Sequence, residues 1–167
     1  MRAYKKLAEK AIAQLKDEEF FVTLDEEANS IAVVMKHIAG NAISRWTDFL
    51  TSDGEKPDRN RDDEFIVGGG NTRAQLFASW ESGWSLLFTT ISALTPDDLG
   101  TTVRIRGQAH TVVEAINRQL IHYAEHVGQI VLLAKHYAGA NWRSLSIPRG
   151  KSEEYLRAAT SSPRPAS

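Results

Sequence analysis

Apolar residues recur at intervals of three and four through most of the chain and alternate in only one short stretch, a pattern that predicts helices with one hairpin arm at most. Tyr4, Leu7, Ala8, Ala11, Ile12 and Leu15 predict an amphipathic helix over about residues 2 to 17. The run Phe20 to Leu24 reads as a packed connector. Asp25 is placed to cap the next helix, with Glu26 and Glu27 in a first turn whose positive dipole end favours carboxylates. Ile31, Val34, Met35, Ile38, Ala42, Trp46 and Phe49 form its core stripe and carry it to Leu50.

Residues 51–70 hold many charges, Pro57 and the triplet Gly68 to Gly70, with little that could build a core element. They predict a long loop, and loops of that length are often functional. Asn71 or Thr72 starts a third helix with the aromatic stripe Leu76, Phe77, Trp80, Trp84, Leu87, Phe88 and Ile91, best explained as core packing. Pro96 opens a short bend, and Thr101 to Arg106 alternates before Gly107 as a short strand. Thr111 and Glu114 make a capping box for the fourth long helix, which stops before Gly139. On it, Val112, Val113, Ile116, Leu120, Ala124, Val127 and Val131 form the expected stripe. Ser152 to Arg157 can form one or two turns. One domain over residues 1–159, with a disordered tail from Thr160 to Ser167, completes an all-α four-helix bundle carrying a strand fragment.

Composition narrows the function. With 167 residues and 42% apolar content, the chain can bury one core but not two. A net charge of −1, spread without a basic face, argues against a nucleic-acid partner. No apolar run approaches the roughly 20 residues that span a bilayer, and the charged start from Met1 to Lys6 is unlike a signal peptide, so a cytoplasmic protein without a membrane partner is expected. Cysteine is absent, which leaves nitrogen and oxygen as ligands for any metal.

Five histidines are present. His122 and His126 lie four apart and point from one helical face, so two ring nitrogens could converge on a divalent ion at about 2.0–2.1 Å without ordering a loop. His37 lies at the edge of the second helix's stripe, with Asn41 and Ser44 following on the same side. Packing the two stripes together brings three histidines to one rim. Hydrogen-bonded boundary histidines would show the same spacing, and both readings stay open at this point. His110, just before a cap, and His136, in a last turn, are better read as structural or solvated.

Other constellations carry less. Arg149 to Ser152 resembles the end of a phosphate-binding loop, but Leu145 replaces the first glycine and no buried strand precedes it. Gly68 to Gly70 could cradle an anion, yet flexibility before a cap explains the glycines. The carboxylates between Asp53 and Glu64 alternate with Lys56, Arg59 and Arg61 as in a solvated loop, although one could fold over the histidine rim as a ligand or base.

His37-x-x-x-Asn41 and His122-x-x-x-His126-x-Gly-Gln129, in that order, make the sequence resemble the DinB-like, or YfiT-like, superfamily of metal-dependent helical proteins. The similarity spans nearly the whole chain. His37 to Asn41 through Arg45-Trp46, Asp63 to Phe65 and Ser146 to Gly150 resemble a bacterial branch of it. The resemblance implies an up-down-down-up four-helix bundle, commonly dimeric, in which His37, His122 and His126 bind zinc or nickel. Relatives include S-transferases that use low-molecular-weight thiols and a maleylpyruvate isomerase, activities that a shared fold does not transfer by itself.

Three protein ligands leave a coordination position open, as catalytic sites do. The expected function is a metal-dependent enzyme that activates a thiol or water for transfer to, or hydrolysis of, a small-molecule substrate. Asn41 and Gln129 are candidates to orient substrate, and Tyr123 or Glu125 to support the histidines. The alternative is a noncatalytic metal-binding, stress-response or interaction module. A homodimer is expected from the resemblance, with the aromatic surplus around Trp80 and Trp84 as a secondary reason.

Overall fold

The structure is a computed structural model that describes residues 1–68 and 70–161. It is mostly helical with one small sheet. In chain order the elements are α1 (Arg2–Ile12), α2 (Asp17–Phe21), α3 (Ile31–Trp46), α4 (Arg73–Ala93), β1 (Thr102–Ile105), β2 (Gln108–Thr111), α5 (Val112–Ala138) and α6 (Ser152–Ser161). Short 3₁₀ turns stand at Asp62–Phe65, Pro96–Gly100 and Gly139–Asn141. No helix among the described residues is long and apolar enough to cross a membrane.

Local capping chemistry sets the boundaries. Thr72 and Thr111 each accept from the backbone three residues on while Gln75 and Glu114 reach back, so both capping boxes form. Gly139, at φ 51°, takes a positive-φ conformation that suits glycine and ends α5. Three boundaries differ from the sequence pattern. The first helix stops at Ile12, and the Glu19 carboxylate accepts from Lys16 N at 2.8 Å to start α2, which buries Phe20 and leaves Val22 and Leu24 exposed. Asp25 spends its carboxylate on a tight turn, accepting from Glu27 N and Ala28 N at 3.0 and 2.9 Å, so Ser30 caps α3 by accepting from Val33 N at 3.2 Å. At the far end the Thr47 hydroxyl donates back to Ile43 O at 2.7 Å and Asp48 adopts φ 47°, ending α3 before Leu50. α6 includes Thr160 and Ser161, which were expected in the tail; residues 162–167 of that tail lie outside the described residues.

α3 packs against both α4 and α5, and α1 lies along α5. Gly83 permits the close α3–α4 approach, since a Cβ there would sit 3.1 Å from both Ala39 O and Ala42 Cβ. Trp46, Trp80, Trp84 and Tyr123 are all fully buried, with ring centroids of Trp80 and Trp84 5.4 Å apart and those of Trp84 and Tyr123 5.2 Å apart. Trp80 and Trp84 therefore belong to the core and offer no docking surface.

The α5 stripe also differs from the pattern. Its buried positions include Ala115, Gln119, Tyr123, Val127, Ile130 and Ala134, while Val113 is exposed. The helix is rotated by roughly 60°, at 100° per residue, from the purely apolar stripe and toward its histidines. Gln119 and Tyr123 can face inward because partners on α3 satisfy them.

β1 and β2 pair antiparallel through the two-residue turn Arg106-Gly107, whose φ values of 53° and 76° are both positive, as a type I′ turn requires. Asp53 ties the long loop to this turn by accepting from Arg106 N at 2.8 Å and Gly107 N at 2.7 Å. Gly54 N adds a bond to Arg104 O at 2.8 Å. The loop is thus fastened beside the α3–α5 seam.

Candidate metal centre

His37 on α3 and His122 and His126 on α5 form one cluster, with one potential ligand atom from each within 4.8 Å of the others. His37 Nε2 and His122 Nε2 are 3.1 Å apart. Two nitrogens sharing one ion at about 2.05 Å and a near-tetrahedral angle stand about 3.3 Å apart, so this separation suits a shared ion. The side chain of His37 is buried and the other two are half-buried.

Protein groups orient two of the three rings. His37 Nδ1 lies 2.8 Å from Glu64 Oε2, and His126 Nδ1 lies 3.0 Å from Gln129 Oε1. With Nδ1–H donating to these acceptors, each ring leaves the lone pair of Nε2 available as a ligand. His122 Nδ1 is buried without a hydrogen-bond partner among the described residues. Burial and the positive character of its neighbours, His126 first, push the His122 pKa down to about 3. Burial also lowers that of His126, against the opposing bond to Gln129. Both imidazoles are neutral at pH 7, the form that binds metal.

Glu64 comes from the long loop and is buried. Burial opposes its charge, but the bonds from His37 and Arg59 prevail and hold its carboxyl below the usual range. Arg59 grips it from Nε to Oε1 and from Nη2 to Oε2, both at 2.8 Å. The seat exists because residue 40 lacks a side chain: a Cβ on Gly40 would fall 2.3 Å from Glu64 Oε1. The sequence allows a carboxylate from residues 53–64 to fold over the histidine rim as a fourth ligand or base. Glu64 instead pairs with His37 Nδ1, on the far side of that ring from His122.

Tyr123 and Asn41 join a different network. Trp46 Nε1 donates to Tyr123 Oη at 3.0 Å, Gln119 Nε2 donates to Asn41 Oδ1 at 3.0 Å, and Tyr123 Oη lies 3.5 Å from the same Asn41 oxygen. These contacts fix the register of α3 against α5 next to the cluster. Glu125 is exposed, and Gln129 is the orienting partner of His126. His110 lies on β2 and His136 near the end of α5; neither joins the cluster.

A cavity of about 380 Å³ opens beside His37 and His122, with Asn41, Gln119 and Glu125 in its wall. The volume lies in the range of small-molecule sites. Five arginines also line it: Arg45, Arg59, Arg61, Arg106 and Arg118. The sequence reading gave them no role, although the spacing held a signal. Arg45 follows Asn41 and Arg118 precedes His122 by one helical turn each.

No curated protein matches the chain. The family model described as "Protein of unknown function (DUF1572)" matches residues 1–151, a span that contains all three histidines, Glu64 and every arginine of the cavity wall, and the chain belongs to that family.

Proposed function

We propose that the protein is a metal-dependent enzyme of the DinB-like type, with His37, His122 and His126 holding one zinc or nickel ion beside a small-molecule cavity. The observation that carries this reading is the convergence of three imidazoles, two of which, His37 and His122, stand 3.1 Å apart in the wall of a 380 Å³ cavity. When bound, such an ion supplies Lewis acidity that generates hydroxide from water, or thiolate from a low-molecular-weight thiol, near neutral pH. The chain's own residues do the rest. Glu64 and Gln129 hold His37 and His126 in the ligating tautomer, Arg59 keeps Glu64 ionised, and Asn41 and Glu125 stand where a substrate would pass. Three ligands rather than four leave room for the reacting group.

The four-helix bundle belongs to the same proposal, supported by the packing of α3 on α4 and α5 and of α1 on α5. So do a single domain over residues 1–159 and a homodimer. Exposed Ile121 and Leu132, 71% and 68% accessible, lie eleven residues apart on one α5 face and give a homodimer an apolar surface. Light scattering at micromolar concentrations reads the state directly, and a monomer throughout contradicts the homodimer.

The catalytic test is turnover by zinc- and nickel-loaded protein with a panel of thiols, electrophiles and hydrolysable esters. Activity should vanish on metal removal and in His126→Ala, and persist in His136→Ala. Unchanged turnover after complete metal removal contradicts the mechanism.

A further inference from the structure

Arg45 is 4% exposed, and its Nε and Nη1 atoms have no hydrogen-bond partner among the described residues. Its nearest ion-pair contact, Nη2 to Glu55 Oε2, is 3.7 Å, beyond hydrogen-bond length. Glu55 is already shared: Arg59 Nη1 donates to it at 3.1 Å and Arg106 Nε at 3.1 Å. Glu64 is likewise shared between Arg59 and His37. The carboxylates that pair with the arginine wall are thus outnumbered, in a protein whose net charge is −1.

A buried guanidinium with unused donors and only a distant, shared carboxylate is short of counter-charge. The protein nevertheless builds a place for this one. A Cβ on Gly54 would fall 2.7 Å from Arg45 Nη1, so the loop that meets the β1–β2 hairpin is shaped around the guanidinium. Arg45 lies two turns along α3 from His37, and Arg118 one turn along α5 from His122. At 1.5 Å per residue the cationic wall extends about 6–12 Å from the histidines.

We infer that the arginine wall around Arg45 is an oxyanion-binding subsite, and that the substrate is a small molecule carrying a carboxylate or phosphate held there while its reacting group faces the histidine cluster. This inference rests on the catalytic reading of the cluster. The guanidiniums of Arg45 and Arg118 both stand in the cavity wall and supply positive charge and N–H donors for the oxygens of either anion, and the enclosed position of Arg45 strengthens that attraction.

Calorimetric titration with succinate, inorganic phosphate and neutral dimethyl succinate tests it on zinc-loaded wild type, metal-free wild type, His122→Ala, Arg45→Met and Arg118→Gln. Arg118 is exposed, so its variant does not disturb the core. Succinate or phosphate should bind wild type and the diester should not. Affinity should fall at least about tenfold in Arg45→Met and about threefold in Arg118→Gln, and weaken with added salt. Preference for succinate assigns a carboxylate substrate, and preference for phosphate a phosphorylated one. Metal-free wild type and His122→Ala should keep arginine-dependent binding, which separates this subsite from anion ligation of zinc. Zinc content measured on the same samples distinguishes the two readings. Anion binding without zinc uptake removes the proposed metal function and leaves the subsite, while zinc uptake with no binding of either anion up to about 10 mM overturns the subsite alone. Equal affinity in wild type and both arginine variants also overturns it.

Discussion

Tyr123 and His122 are adjacent on α5, yet they belong to two differently constructed parts of the α3–α5 seam. On the Tyr123 side, Trp46, Asn41 and Gln119 close a polar network that runs from the aromatic core to the cavity wall. On the His122 side, His122 Nδ1 and two Arg45 nitrogens have no hydrogen-bond partner among the described residues, and a cavity adjoins them. A closed network spends its hydrogen-bonding capacity on fixing helix register, whereas an open one holds it for a ligand. The same two helices thus carry both a closed network and an open cluster, separated by a rotation about the α5 axis.

The largest expected effect breaks the closed side. Trp46→Ala should cost about 3–5 kcal/mol, because it empties a fully buried indole site and removes a partner of Tyr123. Chemical denaturation of metal-free protein measures the loss, and a change below about 1 kcal/mol would show that the network is not structural.

The open side should respond in the opposite sense. His122→Ala should lower zinc affinity by more than about 100-fold while leaving metal-free stability within about 1 kcal/mol. Competition titration with a chromogenic chelator, alongside thermal melts, separates the two quantities. A stability loss as large as that of Trp46→Ala would erase the distinction between the sides.

Gly40→Ala sharpens the contrast without touching a histidine. The added methyl must displace Glu64 from its 2.3 Å encounter, releasing His37 Nδ1. Zinc affinity should fall about 10–100-fold, although alanine is the better helix former by about 1 kcal/mol. Glu64→Gln should reproduce a smaller loss. Unaltered affinity in both variants would deny Glu64 its orienting role.

The smallest effect is in pH. His122 has a folded pKa of about 3 against an ordinary value near 6.5, so between those values the unfolded chain binds more protons. Stability of the metal-free protein must therefore fall as pH is lowered from about 7 toward 4. Because His122 is partly exposed and solvent screens the shift, a loss of about 1 kcal/mol is expected, a Tm decrease of about 2–4 °C in a chain of this size. His122→Ala should flatten that slope, while His136→Ala should leave it unchanged. A slope identical in all three proteins would assign the acid sensitivity elsewhere.

Much of this arrangement was legible in the sequence. The spacing of His122 and His126, the Thr72 and Thr111 caps, and the end of α5 before Gly139 all follow from local periodicity and capping chemistry, and the structure reproduces them. The rotation of α5 did not follow, because apolar periodicity discounts Gln119 and Tyr123, whose burial depends on partners 78 and 82 residues away. Glu64 was one carboxylate among many in a charged loop. Its selection depends on a gap at Gly40 and a grip by Arg59, neither of which has a periodic signature. Arg45 was discounted for the same reason as Gln119: a charged residue is expected outside until a cavity gives it a reason to be inside.

The central claim is that the three histidines form one divalent-ion site. Equilibrium dialysis of untagged wild type against zinc and against nickel, followed by elemental analysis, tests it most directly, with the His37→Ala/His122→Ala/His126→Ala triple variant alongside. Wild type should hold one tightly bound ion per chain, and a triple variant that keeps its helical circular dichroism should hold none. Wild type that retains neither metal, or a triple variant that retains as much as wild type, would contradict it.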